Sequence, residues 1–184
     1  MSGPTPAPSD VPAFFFDGGR VPLRLRLRRL RLRLRWGRRV ELAPGAFVGR
    51  RVRLHLDRGA RLVLGEGAWL GDGSTVRAGG EVRIGAGTLV GPESVLAARE
   101  LVSVGERCLL GDEVMASDCA LTAEDALRAE RPLVVRPVRV GDGARVGPRA
   151  CLLAGAAVGA GAVVGPREVV AGDAQTRVRS SSSP

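Results

Sequence analysis

An aliphatic residue recurs every six positions along most of this chain. The series runs Leu42, Val48, Leu54; Leu64, Leu70, Val76; Ile84, Val90, Leu96; Val104, Leu110, Ala116. After a break it continues as Val140, Val146, Leu152, Val158, Val164 and Val170. A period of six fits neither the 3.6 of a helix nor the 2 of a surface strand. It is an internal repeat, and an internal repeat sets the fold before any local propensity does. The first members recur at 64, 84 and 104, so one coil is three hexads plus about two residues at one corner. Four positions after the marked residues come Ala68, Ser74, Thr88, Ser94, Cys108, Val114, Ala144, Ala150, Ala156 and Ala162, nearly all small. Glycine follows most first and second members, whereas His55, Arg77, Ala97 and Ser117 follow the third, so one face of the coil differs in chemistry.

A chain that turns every six residues makes a triangular coil. Stacked coils pair as parallel strands about 4.8 Å apart, with the aliphatic residue of each hexad pointing inward. Glycine serves corners where φ is positive or where backbones approach closely. Each layer buries its core only against its neighbours. A glycine-rich β-sandwich is the alternative, but eighteen positions in one register speak against it. Composition agrees with thin, repeated layers: there are 26 glycines and only 3% aromatic residues, so Val, Leu, Ile and Ala must supply the core.

The segments "VRIGAGTLVGPESVL" and "VRVGDGARVGPRACLLAGAAVGAGAVVG" resemble the hexapeptide-repeat acyltransferase superfamily, in its sugar O-acetyltransferase-like branch. "RPVRVGDGARVG" is similar to the family's return into the helix after its active-site loop, and "VVAGDAQ" to a shortened closing segment. The resemblance covers Val40 to about Gly172 and implies an all-β, left-handed parallel β-helix. It also implies a homotrimer with sites between neighbouring solenoids. Acetyl-coenzyme A or another acyl-coenzyme A would be the co-substrate, with no permanently bound cofactor. The acyl acceptor would be a small molecule, a sugar or cell-envelope precursor. By position in the late coils, Ala150, Gly155 and Arg167 match the small and basic residues expected near the coenzyme, although each also fits an ordinary coil position.

The break runs from Ser117 to Arg139, where the step from Ala116 to Val140 is 24 residues instead of six. In relatives this loop carries a histidine in a "D-x-D-H" or "S-D-H" context. A hydroxyl is a weak nucleophile near neutral pH, and a base with a pKa near 7 must take its proton as the thioester is attacked. Here the loop reads "ASDCALTAEDALRAERP". Asp118 stands where the family's acid would be, and Cys119, Ala120 and Leu121 fill the places where histidine would follow. Three readings stay open. The base is lost and the chain is a catalytically silent scaffold or partner of an active paralogue. Or another group serves, Cys119 as a thiolate or Asp118 or Glu124 with a pKa raised by burial. Or the resemblance extends to fold and partner alone. The one histidine, His55, lies on the same face three coils earlier, roughly 14 Å away at the usual strand spacing. Thr122 to Asp125 has a helix-start pattern that Pro132 ends, so a short helix is expected as a lid or a trimer-packing element.

Other chemistries are excluded or weak. A solenoid zinc enzyme needs several histidines, so no metal site is expected. Glycines that recur every six residues and open no helix are not a dinucleotide fingerprint. Cys108, Cys119 and Cys151 show no pairing pattern, which suits reduced thiols and a cytoplasmic setting.

The ends differ from the middle. Residues 1–19 and 175–184 read as disordered tails around a β-helix domain at 40–174, and the N-terminus lacks a secretory pattern. Residues 20–39 form an arginine-rich cap segment with ten arginines and no acid. The remaining 28 − 10 = 18 basic residues face 19 acids, so the body is near neutral. "VPLRLRLRRLRLRLRWG" alternates Leu and Arg as a strand would, with a slip at Arg28-Arg29. Pro22 at the start, Gly37 at the end and a stripe of Leu23, Leu27, Leu30 and Leu34 favour a helix docked on the open end of the solenoid. Arg24 to Arg39 would suit a solvated or inter-subunit face, or an anionic membrane surface. Nucleic acid is a poorer fit, since Trp36 is the segment's only stacking aromatic.

Overall fold

The computed structural model describes residues 30–32, 34–120 and 134–172. They form a parallel β-solenoid of six coils with three six-stranded sheets. The first sheet holds Val40–Leu42, Arg61–Leu64, Glu81–Ile84, Leu101–Val104, Val138–Val140 and Ala157–Val158. The second holds the two-residue strands from Phe47–Val48 up to Val163–Val164, and the third runs from Arg53–Leu56 up to Val169–Val170. Every marked residue of the repeat pairs with its counterpart one coil away: Leu42 with Leu64, then Ile84, Val104, Val140 and Val158 in the first sheet. The same holds for Val48 to Val164 in the second sheet and Leu54 to Val170 in the third. All are buried except Leu54, which packs partly buried against the same core in the lowest coil.

The ten residues four positions on are also buried, which explains their size. They turn inward just before the next strand, under the corner. Where they are polar they satisfy the corner: Thr88 Oγ1 donates to the Gly105 carbonyl (2.6 Å) and Ser94 Oγ to that of Gly91 (2.9 Å). The corners place a left-handed residue in column. Between the first and second sheets these are chiefly glycines, such as Gly67, Gly87 and Gly143; between the second and third they include Arg51, Glu93, Glu113, Arg149 and Arg167.

The two extra residues of the twenty-residue coils sit at the third-to-first corner. There the strands of the third sheet run on to buried Leu56, Ala78 and Ala98 before the chain bends at 79–80 and 99–100. The excursion leaves from this same corner. Cys119–Ala120 pairs antiparallel with Val134–Val135, and the chain rejoins the first sheet at Val138. Above the excursion the coil shortens, with Val158 lying over Val140.

Before the first coil the chain is helical at 30–32 and 34–36 and ends in a 3-10 turn, Gly37–Arg39. The positive φ of Gly37 (55°) is the expected left-handed stop. The docked side differs from the expected one. Leu30 and Leu34 are 52% and 78% exposed, and it is Leu32 and Trp36 that pack on the core. The alternation of Leu and Arg explains this, because on a helix it creates two opposite apolar sides where a single stripe was expected. The expected tails, the helix from Thr122 and Glu124 lie outside the described residues.

Candidate functional site

The base of the excursion is built on a broken ladder. In the lower coils, backbone amides at the third-to-first corner donate upward to the next coil. Asp57 N–H reaches the Ala78 carbonyl (2.9 Å), Gly79 N–H that of Ala98 (2.8 Å), Arg61 N–H that of Gly80 (2.9 Å) and Glu81 N–H that of Glu100 (2.9 Å). One coil higher the equivalent donors are Arg99 and Leu101. The carbonyls that should receive them are missing, because the chain has left the coil.

Asp118 fills that gap. Its Oδ1 accepts the Arg99 N–H (2.8 Å), and its Oδ2 accepts those of Glu100 (2.6 Å) and Leu101 (2.9 Å). The residue is 0% exposed. Backbone amides withdrawn from water need partners, and one carboxylate here does the work of two backbone carbonyls in partly buried bonds. The Asp118 backbone continues the stack. Its N–H donates to the Ala97 carbonyl (3.2 Å), its carbonyl accepts the Arg136 N–H (2.8 Å), and the Arg136 carbonyl accepts the Gly155 N–H (2.9 Å). The two ends of the excursion are thus held together across the corner.

This arrangement decides what each candidate can do. Asp118 is buried with both oxygens turned onto backbone amides, so it anchors the base of the excursion. Cys119, next to it, is half-buried. Its N–H lies 3.4 Å from Ser117 Oγ, which in turn donates to the Cys119 carbonyl (3.0 Å). Arg136 is exposed at the returning limb and lies against Gly155, where an added Cβ would sit 3.3 Å from Arg136 Cδ. Arg136 was missed from the sequence, although the quoted "RPVRVG" contains it.

Of the three late-coil positions, Gly155 alone joins this group. Ala150 is fully buried in the core, its side chain turned away from solvent. Arg167 is exposed at a second-to-third corner, with φ of 59° and its N–H on the Pro148 carbonyl (3.0 Å). His55 is exposed, and its column reads His55, Arg77, Ala97, Ser117, as the repeat requires. Two residues therefore separate it from Ser117.

The other end of strand Val138–Val140 opens into a groove of about 600 Å³. Its floor repeats through three coils, with Ser103 and Gly105, Arg139 and Asp142, and Ala157 with Gly159. Such a volume lies within the range of small-molecule sites. Asp142 Oδ1 is held by the Glu106 N–H (2.8 Å), and Arg139 is exposed. Cys108 lies beneath this corner, its Sγ on the Gly141 carbonyl (3.1 Å), and burial pushes its thiol pKa up. It is a core residue, and Cys119 and Cys151 are the more accessible thiols. Among the described residues no cluster of three or more His, Cys, Asp or Glu can hold a metal ion.

Compared with known proteins, the chain matches no protein-family model, and no curated protein is significantly similar to it.

Proposed function

We propose that this protein is a coenzyme A-dependent O-acyltransferase-like molecule, with the groove on the first face holding the acyl thioester and the base of the excursion holding the acceptor, a sugar or cell-envelope hydroxyl. The observation that carries the reading is the excursion itself. It is the one long insertion among the described coils, and a buried carboxylate is dedicated to closing the ladder it opens. The groove and the excursion's base sit at the two ends of one three-residue strand, so an extended ligand across the first face reaches both. Gly105, Gly141 and Gly159 line the groove in three successive coils, which gives it the length an extended pantetheine-like arm needs.

Acyl transfer forms an ester C–O bond as the thioester C–S bond breaks. The acceptor's proton passes to a base and the coenzyme leaves as its thiol. With Asp118 committed to amides, Cys119 is the candidate left for chemistry among the described residues. Its sulfur attacks the thioester carbonyl as the bond to coenzyme A breaks and the departing coenzyme takes up the cysteine proton; the acceptor hydroxyl then displaces the sulfur, and its proton returns to Cys119. Calorimetry with acetyl-coenzyme A should show binding to the native chain. Turnover with candidate sugars should then fall at least about a hundredfold in Cys119→Ala. Absence of binding removes the transferase reading altogether.

A second reading is a silent scaffold, and the commitment of Asp118 to structure favours it, together with the distance of His55. Binding of the thioester without turnover in the native protein assigns it. Cys119→His then tests whether the site lacks only its base.

We also propose a homotrimer, on the strength of the second face. Its outward column is Phe47, Trp69, Leu89 and Leu109 in the four lower coils, with Arg145 and Val163 above, whereas that of the first face is Glu41, Val63, Arg83 and Ser103 in the same four coils. Phe47 and Trp69 stack with centroids 3.9 Å apart, and Leu109 is 48% exposed. Such a stripe marks an association surface. Light scattering should give three times the chain mass, and Leu89→Glu with Leu109→Glu should give one, with the circular dichroism unchanged. A native protein that runs as a monomer refutes the trimer.

A further inference from the structure

We infer that the N-terminal helix is an interfacial helix that lays this protein on an anionic lipid surface. It has two apolar sides. Leu32 and Trp36, one turn apart, are spent on the solenoid core. Leu30 and Leu34, also one turn apart, point away from it and are 52% and 78% exposed. Arg31 and Arg35, both exposed, occupy the flank between them.

The sequence before residue 30 carries the same alternation of leucine and arginine from Leu23 onward, and residues 20–39 hold ten arginines and no acid.

The occupant of the side that Leu30 and Leu34 expose must offer hydrocarbon beneath and negative charge beside it. A second copy would set this arginine-rich segment against an equally basic one, since residues 20–39 contain no acid. Nucleic acid would satisfy the arginines and leave Leu30 and Leu34 in water. An anionic bilayer supplies both, with leucines entering the acyl boundary and the long arginine side chains reaching back to the phosphates. The solenoid, near neutral once these ten arginines are set aside, does not repel such a surface.

The test is sedimentation of the full chain with vesicles, in low and high salt. Phosphatidylglycerol-containing vesicles should carry the protein down, pure phosphatidylcholine vesicles should not, and salt should weaken the binding. Arg31→Gln and Arg35→Gln should each lower the partition about fivefold, the equivalent of about 1 kcal/mol per basic residue at the surface. Leu30→Gln with Leu34→Gln keeps the charge and should lower it at least tenfold, while thermal melting stays as in the native protein because both side chains are exposed. The inference is overturned by no sedimentation with anionic vesicles at low salt, or by full binding of the Leu30→Gln, Leu34→Gln protein. Tighter binding to single-stranded nucleic acid than to vesicles at equal salt would overturn it as well.

Discussion

Asp118→Asn is expected to melt roughly 5–15 °C below the native protein. The carboxylate gives two acceptor oxygens to three backbone amides, those of Arg99, Glu100 and Leu101, in partly buried hydrogen bonds. An asparagine offers one oxygen and turns an NH2 group toward the remaining amide. One N–H is orphaned, and the surviving hydrogen bonds lose their charge assistance. A buried unsatisfied donor costs about 1–3 kcal/mol, so a total near 2–4 kcal/mol follows. For a chain of this length each kcal/mol shifts the midpoint by about 2–4 °C. Asp118→Ala, which orphans all three, should fall at least as far. Hydrogen exchange gives the local readout: the amides of 99–101 should lose protection while those of the lowest coil keep theirs. If Asp118 served catalysis instead, the Asn variant would lose turnover with its melting point and its exchange pattern intact.

The position of Asp118 also shows how far the sequence could be read. The solenoid was legible almost residue by residue, because a hydrophobic period is a local signal repeated many times. The eighteen aliphatic positions come into register, the small residues lie under the corners, and the irregular corner is where the chain departs. Handling of that departure was less legible. An acid beside a long loop suggests chemistry. The clue against it was a count of donors. The amides of 99–101 need acceptors from a coil that has left, and an acidic side chain at the point of departure is the nearest source. The side chain of Ala150 is buried for a related reason. It stands four positions after Val146, and that place in the hexad is inward-facing throughout. The helix illustrates the opposite error. Leu30 and Leu34 satisfy the rule for an apolar stripe, but so do Leu32 and Trp36, and only the core decides which pair it receives.

Gly91→Ala should strongly disrupt the lower solenoid, while Gly159→Ala should be nearly silent. Both glycines sit at corners of the coil just after a marked residue. A Cβ on Gly91 would lie 2.5 Å from the carbonyl carbon and oxygen of Gly111 and 2.7 Å from the Asp112 nitrogen, all backbone atoms of the next coil. No side chain can swing aside to admit it. Relief requires the third and fourth coils to separate, and that stretches the Gly91 N–H bond to Leu110 (2.9 Å) and the Glu113 N–H bond to Pro92 (2.9 Å). Gly71 meets Pro92 and Gly111 meets Pro148 in the same way, so the constraint runs up the column. Gly159 lies in the last described coil, where an added Cβ meets nothing within 4 Å. Overpacking costs about 1–3 kcal/mol where side chains can yield. Here only backbone can, and a loss at the upper end, about 3 kcal/mol, corresponds to a fall of roughly 6–12 °C. Because each coil of a solenoid is stabilised by its neighbours, exchange should accelerate first around Gly91 and Glu113. Equal melting of the two variants would mean that coil spacing is soft at this corner, and the close approach of glycine backbones would no longer explain why the column carries no side chain.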